Sequence, residues 1–167
     1  MNVRCRVSAS LLATAIMLLG GNAAFARGLD LSFTYKYLGP ASFEPDAIKR
    51  PEEGGLRDGH YVTVLSDDVT VYRLFDNEDA GMLGRFWVFE PPTGDNAQYR
   101  RDYGVCADWN ALTHPVTCRL LKGTTIIVGP GQSVSCKKPP RFIPASEALQ
   151  VFIPNPKKSC KIGWALN

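Results

Sequence analysis

Polar and apolar residues alternate over several short stretches of the chain, and that period of two is the mark of half-buried β-strands. The clearest run is Leu29 to Tyr37, with Leu29, Leu31, Phe33, Tyr35 and Tyr37 on one face and Asp30, Ser32, Thr34 and Lys36 on the other. His60–Leu65, Val69–Phe75, Leu83–Phe89, Pro115–Leu121, Thr124–Val128 and Ala148–Ile153 read as further strands, punctuated by Gly, Pro and Asp clusters. In the last of these Leu149, Val151 and Ile153 form the covered row, with Gln150 and Phe152 opposite. Helical character is confined to Thr93–Tyr103, where Thr93 or Asp95 supplies an N-cap and Gly104 a stop. Tyr99 and Tyr103, at i and i+4, turn inward from it. The segment from Ala41 to Gly59 and the stretch from Ser135 to Pro144 read as solvated loops, with a single helical turn over Glu44–Lys49. Asp67 and Asp68 sit where a turn favours aspartate. The fold class expected is α+β and β-rich.

One strand breaks the pattern. In Asp68-Val-Thr-Val-Tyr-Arg-Leu-Phe75, the residues Val69, Val71, Arg73 and Phe75 share a face, which puts a guanidinium in an apolar row. Such a group needs an internal carboxylate, or a cleft that receives an anion.

The N-terminus carries Arg4 and Arg6, a short apolar run from Leu11 to Leu19, and Ala24-Phe25-Ala26. These match a secretory signal cleaved after Ala26, with an apolar run too short for a permanent anchor. The expected product is exported, secreted or periplasmic, without a membrane anchor. The chain has 19 lysines and arginines against 16 acidic residues. Removing Arg4 and Arg6 brings it close to neutral, which argues against nucleic acid or anionic lipid as the dominant partner. Cys106, Cys118, Cys136 and Cys160 remain, an even set that reads as two disulfides with three connectivities open. Cys106–Cys118 and Cys136–Cys160 are favoured because each closes a local loop. No Cys-x-x-Cys occurs and neither histidine completes a ligand pattern, so no metal site is expected.

No nucleophilic serine motif or phosphate-cradling glycine loop is present, and His114 lacks a positioned partner. The polar residues on otherwise covered strands are Arg73, Arg85 and Gln150. The order Val71-Tyr-Arg-Leu-Phe75, Leu83-Gly-Arg-Phe-Trp87, Gln98-Tyr-Arg-Arg101, Trp109-Asn110, Lys122-Gly-Thr-Thr-Ile-Ile-Val-Gly129 and Leu149-Gln-Val-Phe-Ile-Pro-Asn155 resembles secreted toxin domains of the ADP-ribosyltransferase-like group. The nearest likeness is to NAD glycohydrolase toxins of the tuberculosis necrotizing toxin type and related polymorphic-toxin domains. It covers residues 68–156.

The resemblance implies a split β-sandwich of two small sheets with NAD in the cleft between them. It divides the chain into a signal peptide (1–26), an N-terminal strand and loop extension (27–67) and the toxin-like domain (68–167). Arg73 would grip the dinucleotide, and Gln150 would hold the nicotinamide ribose. Arg85, Trp87, Arg100 and Arg101 would contribute to substrate binding. NAD enters as substrate and no cofactor is required; an immunity protein is an expected partner of such a toxin. A glutamine at position 150 leans towards hydrolysis over transfer to a protein. Two departures stand out: Ala145-Ser-Glu-Ala-Leu149 replaces a glycine-rich run, and Phe86-Trp-Val88 replaces a serine–threonine strand. The alternatives are a non-catalytic, disulfide-stapled secreted β-domain with a degenerate site, and a protein ADP-ribosyltransferase.

Overall fold

The computed structural model describes residues 35–42, 44–78 and 80–164. The signal segment and residues 29–34 of the first expected strand lie outside them. In chain order the elements are β1 (Tyr35–Pro40), β2 (His60–Val64), β3 (Thr70–Phe75), β4 (Phe86–Val88), α1 (Asn96–Tyr103), β5 (His114–Leu120), β6 (Thr125–Pro130), β7 (Val134–Lys137), β8 (Pro140–Ile143), β9 (Leu149–Phe152), α2 (Pro156–Ser159) and β10 (Cys160–Gly163). The domain is β-rich α+β, with two sheets and two disulfides. One sheet has eight strands in the order β1-β2-β6-β9-β4-β3-β5-β10, and the other is the β7-β8 hairpin. All pairings between these strands are antiparallel. No helix among the described residues is long and apolar enough to cross a membrane.

The large sheet is nearly divided in two. β4 pairs with β9 over three residues, Phe86↔Phe152, Trp87↔Val151 and Val88↔Gln150. On its other side it meets β3 through one pair only, Tyr72↔Val88. β3 meanwhile pairs with β5 along its whole length, from Thr70↔Arg119 to Phe75↔His114. A five-strand portion and a three-strand portion are therefore joined at a single register position, and β3 and β4 part beyond it.

The strand expectations hold for β2, β3, β5, β6 and β9, and β3 keeps its alternation, with Val71 and Phe75 buried. Three expectations are corrected. First, the segment 41–59 is no solvated loop: Ala41, Ala47 and Leu56 are buried and form a second core with Ile127 and Phe152. This covers the face of β9 expected to be the open one, so Gln150, Val151, Phe152 and Ile153 are all buried. Second, residues 135–144 carry a hairpin, whose inner residues Val134, Cys136 and Ile143 pack with Cys106. Third, the disulfides are Cys106–Cys136 and Cys118–Cys160. Proximity in sequence is outweighed by strand pairing: β5 pairs with β10 in the register Cys160↔Leu120 and Ile162↔Cys118, which brings Cys118 and Cys160 diagonally together on one face.

The strands from the expected N-terminal extension, β1 and β2, belong to the same sheet, because β2 pairs with β6 from His60↔Val128 to Thr63↔Thr125. Helix α1 is held by Asp95, whose carboxylate accepts from Gln98 N at 2.7 Å, and ends at Gly104 in the left-handed region (φ 60°). A second short helix, α2, leads into β10.

Candidate functional site

Where β3 and β4 separate, their backbone groups lose strand partners, and each exposed edge must find others. Side chains supply them. The Leu74 carbonyl accepts from Asn110 Nδ2 at 2.8 Å, and the Tyr99 hydroxyl lies close to the Leu74 main chain. Across the gap, the Phe86 carbonyl accepts from Arg73 Nη1 at 2.9 Å. The opening between the strands is thus lined by a cation, a phenol and an amide.

A cavity of about 230 Å³ lies at this opening, and its lining includes Arg73, Gln150, Tyr99, Tyr103, Trp109 and Lys49. Arg73 and Gln150 are brought together here, although neighbouring register positions put them on opposite faces of a continuous sheet. The parting of the strands is what lets Arg73 reach the side of the sheet that Gln150 faces.

Arg73 forms no ion pair with a described residue, and its buried Nε has no hydrogen-bond partner. Burial pulls its pKa below the usual arginine value, with Tyr99 and Asp76 acting in the opposite sense; it stays a cation at any physiological pH. Asp76 is the neighbouring carboxylate, and its oxygens are engaged by main-chain amides: Oδ1 accepts from Glu78 N and Ala80 N, and Oδ2 from Ala111 N at 2.6 Å. That network fixes the loop after β3 to the connector before β5.

Gln150 is 3% exposed, and its Nε2 donates to the Tyr103 carbonyl at 3.2 Å. Tyr99 and Tyr103 pack ring on ring, 4.8 Å between centroids, turned inward as their spacing predicts. Burial pushes the Tyr99 hydroxyl up to about 12 and raises that of Tyr103. Both are neutral donors at physiological pH. Trp109, 41% exposed, lies against Gly54 and forms part of the rim. Glu53 is the one carboxylate of the lining, and it is paired with Arg50 at 2.6 Å. With Lys49 and Arg73 present, the lining is cationic.

The remaining candidates sit as follows. Trp87 is fully buried, lines the cavity floor and donates from Nε1 to the Gly84 carbonyl at 2.7 Å. Arg85 lies outside the lining, paired with Asp46 at 2.6 Å and stacked over Phe152 at 5.1 Å. Arg100 turns back to donate to the Val105 and Cys106 carbonyls at 3.4 and 3.0 Å, which secures the chain after α1. Arg101 is exposed and bonds Gln98. Glu147 is exposed and paired with Arg57. Cys106 and Cys136 brace the wall that Gly104 and Val105 give to the cavity.

Sequence reasoning assigned no role to Lys49, Glu53 or Asn110. The first two lie in the segment read as solvated, and their place depends on a contact between Gly54 N and the Ser133 carbonyl, distant in sequence. Comparisons with protein-family models, curated proteins and solved structures find no match to the chain.

Proposed function

We propose that this cavity takes the nicotinamide end of NAD and that the protein is an exported NAD glycohydrolase, releasing nicotinamide and ADP-ribose. The observation that carries this reading is that Arg73 and Gln150 line one cavity at the division of the sheet, with Arg73 unpaired by any described carboxylate. The cavity is smaller than the roughly 300–1,000 Å³ usual for whole ligands. It encloses part of a dinucleotide and leaves the rest outside the rim. Tyr99, Tyr103 and Trp109 offer aromatic faces to the pyridinium, and Arg73 offers a charge-assisted donor to an anionic group.

The chemistry asks little of acid–base groups. The C1′–N bond breaks, nicotinamide leaves with the bonding pair as a neutral molecule, and water adds at C1′ and releases a proton to solvent. The transition state is oxocarbenium-like, as in glycoside hydrolysis. Holding the ribose and orienting dipoles supplies the acceleration, and a buried neutral glutamine suits that task. The two disulfides support maturation in an oxidising compartment, outside the cytoplasm.

A second reading, a non-catalytic binding domain, is favoured by one observation: the only carboxylate of the lining, Glu53, is engaged by Arg50. Incubating the oxidised protein with NAD and measuring nicotinamide separates the two. Turnover that disappears in Arg73→Ala and Gln150→Ala, with folding kept, is the expected result. No turnover at high protein concentration rejects the hydrolase, and label from NAD appearing on a second protein identifies a transferase instead.

A further inference from the structure

The guanidinium of Arg73 is held by more than its bond to Phe86. A Cβ built on Gly84 would lie 2.2 Å from Arg73 Nη2, 2.3 Å from Cζ and 2.8 Å from Nε. No side chain fits there, so the arginine lies directly against the glycine backbone. That backbone is itself fixed, because Trp87 Nε1 donates to the Gly84 carbonyl at 2.7 Å and Gly84 N donates to the Gly81 carbonyl at 3.1 Å. Gly84 has no left-handed φ to explain it, so its lack of a side chain is used for close approach rather than for a turn.

The geometry points to Gly84 as a positioning residue. It forms a backbone plate, fastened by the Trp87 indole, that sets the guanidinium of Arg73 at the cavity for an anionic ligand. The inference rests on the reading of the cavity as a NAD site only in the identity of that ligand. The clash that a methyl group brings is with the far end of a flexible side chain. The chain therefore relieves it by swinging Arg73 away rather than by unfolding. Gly81, in the same loop, has open space where its Cβ would stand, which makes Gly81→Ala a matched control.

The test combines nitrogen-resolved NMR of the arginine side chains with calorimetric titration of ADP-ribose into the oxidised protein. Arg73→Lys identifies the Arg73 Nε–H signal by its loss. The wild-type protein is expected to show this signal resolved from the solvent-exposed arginines and protected from exchange. In Gly84→Ala it should return to the exposed envelope, and ADP-ribose affinity should fall about ten- to a hundredfold, the loss of one hydrogen bond from a charged group. Gly81→Ala should change neither. A wild-type signal already averaged with the exposed arginines overturns the inference, and needs only the Arg73→Lys assignment, not a folded Gly84→Ala. Unchanged ADP-ribose affinity in Gly84→Ala overturns it as well. If the wild-type protein binds no ADP-ribose but its Arg73 signal is lost in Gly84→Ala, the plate stands and the NAD reading falls.

Discussion

Replacing Gln150 by glutamate changes one atom's chemistry at a position that is 3% exposed. The native Nε2 donates to the Tyr103 carbonyl at 3.2 Å. An ionised carboxylate cannot donate, so it would face that carbonyl oxygen with charge against dipole, and burial would add a desolvation cost. Both effects raise the carboxyl's pKa above its ordinary value of about 4.3. A rise of about two pH units, modest for so buried a site, costs about 3 kcal/mol of stability at neutral pH. The sign follows from linkage. A group whose folded pKa is raised keeps its full stability below the unfolded pKa, and loses it as pH rises through the folded one. The protonated carboxyl can again donate to Tyr103. Gln150→Glu should therefore lie close to the wild-type protein near pH 4 and fall below it by about 3 kcal/mol at pH 7, the figure the linkage gives. Urea unfolding of both proteins from pH 4 to pH 8, taken as differences at each pH, measures this directly. A difference that stays flat with pH refutes the reasoning, because the side chain would then be solvated. A variant that gains stability as pH rises refutes it in another way, by showing that Arg73 pairs with the new charge.

Three further outcomes follow from the geometry. Breaking Cys118–Cys160, whose partners are 42 residues apart, in Cys118→Ala/Cys160→Ala should cost about 4 kcal/mol by loop entropy, read as a lower denaturant midpoint; a loss below about 1 kcal/mol contradicts the entropic account. In Gly129→Ala the new Cβ would fall 1.9 Å from the Asp58 carbonyl oxygen, a clash with backbone that cannot swing aside. About 3 kcal/mol or more of stability should be lost, and thermal melting equal to that of the wild-type protein would disprove the close contact. At alkaline pH the Tyr99 hydroxyl, raised by burial from 10.0 to about 12, holds its proton in the folded state. Stability is thus whole below pH 10 and lost as pH climbs towards 12, so absorbance at about 295 nm should show late tyrosine ionisation that coincides with unfolding. Fully ionised tyrosines in a still-folded protein would count against Tyr99 being buried.

How much of this was legible in the chain depends on the range of the interactions. The strand β3, the inward Tyr99 and Tyr103, and the cap at Asp95 follow from residues a few positions apart, where period and capping chemistry decide the outcome. The turn at Asp67 and Asp68 also held, with Asp68 N donating to Ser66 Oγ at 3.2 Å. The disulfide pairing and the β7-β8 hairpin were not legible. Each depends on which distant strand lies alongside, and proline-rich basic composition masked the alternation Val134, Cys136. Residues 41–59 failed for the same reason. Their Pro, Gly and charge signal a loop correctly, but composition does not say that Ala47 and Leu56 fill a core. Arg73 shows the middle case: its anomaly was visible from alternation, whereas its release into the cavity depends on β4 leaving β3 after a single pair.

That single pair has a kinetic consequence. Opening most sheets means breaking a ladder of main-chain bonds, which is a local unfolding event. Between β3 and β4 there is almost no ladder to break, and Cys118–Cys160 lies wholly on the three-strand side, between β5 and β10. The side-chain bond across it is that of Arg73 to the Phe86 carbonyl, while Asn110 caps the free edge of β3 at Leu74; each is a side chain that can let go by itself. A ligand of the proposed kind would therefore meet side chains that change rotamer rather than strands that must melt, and the sheet would stay intact around it.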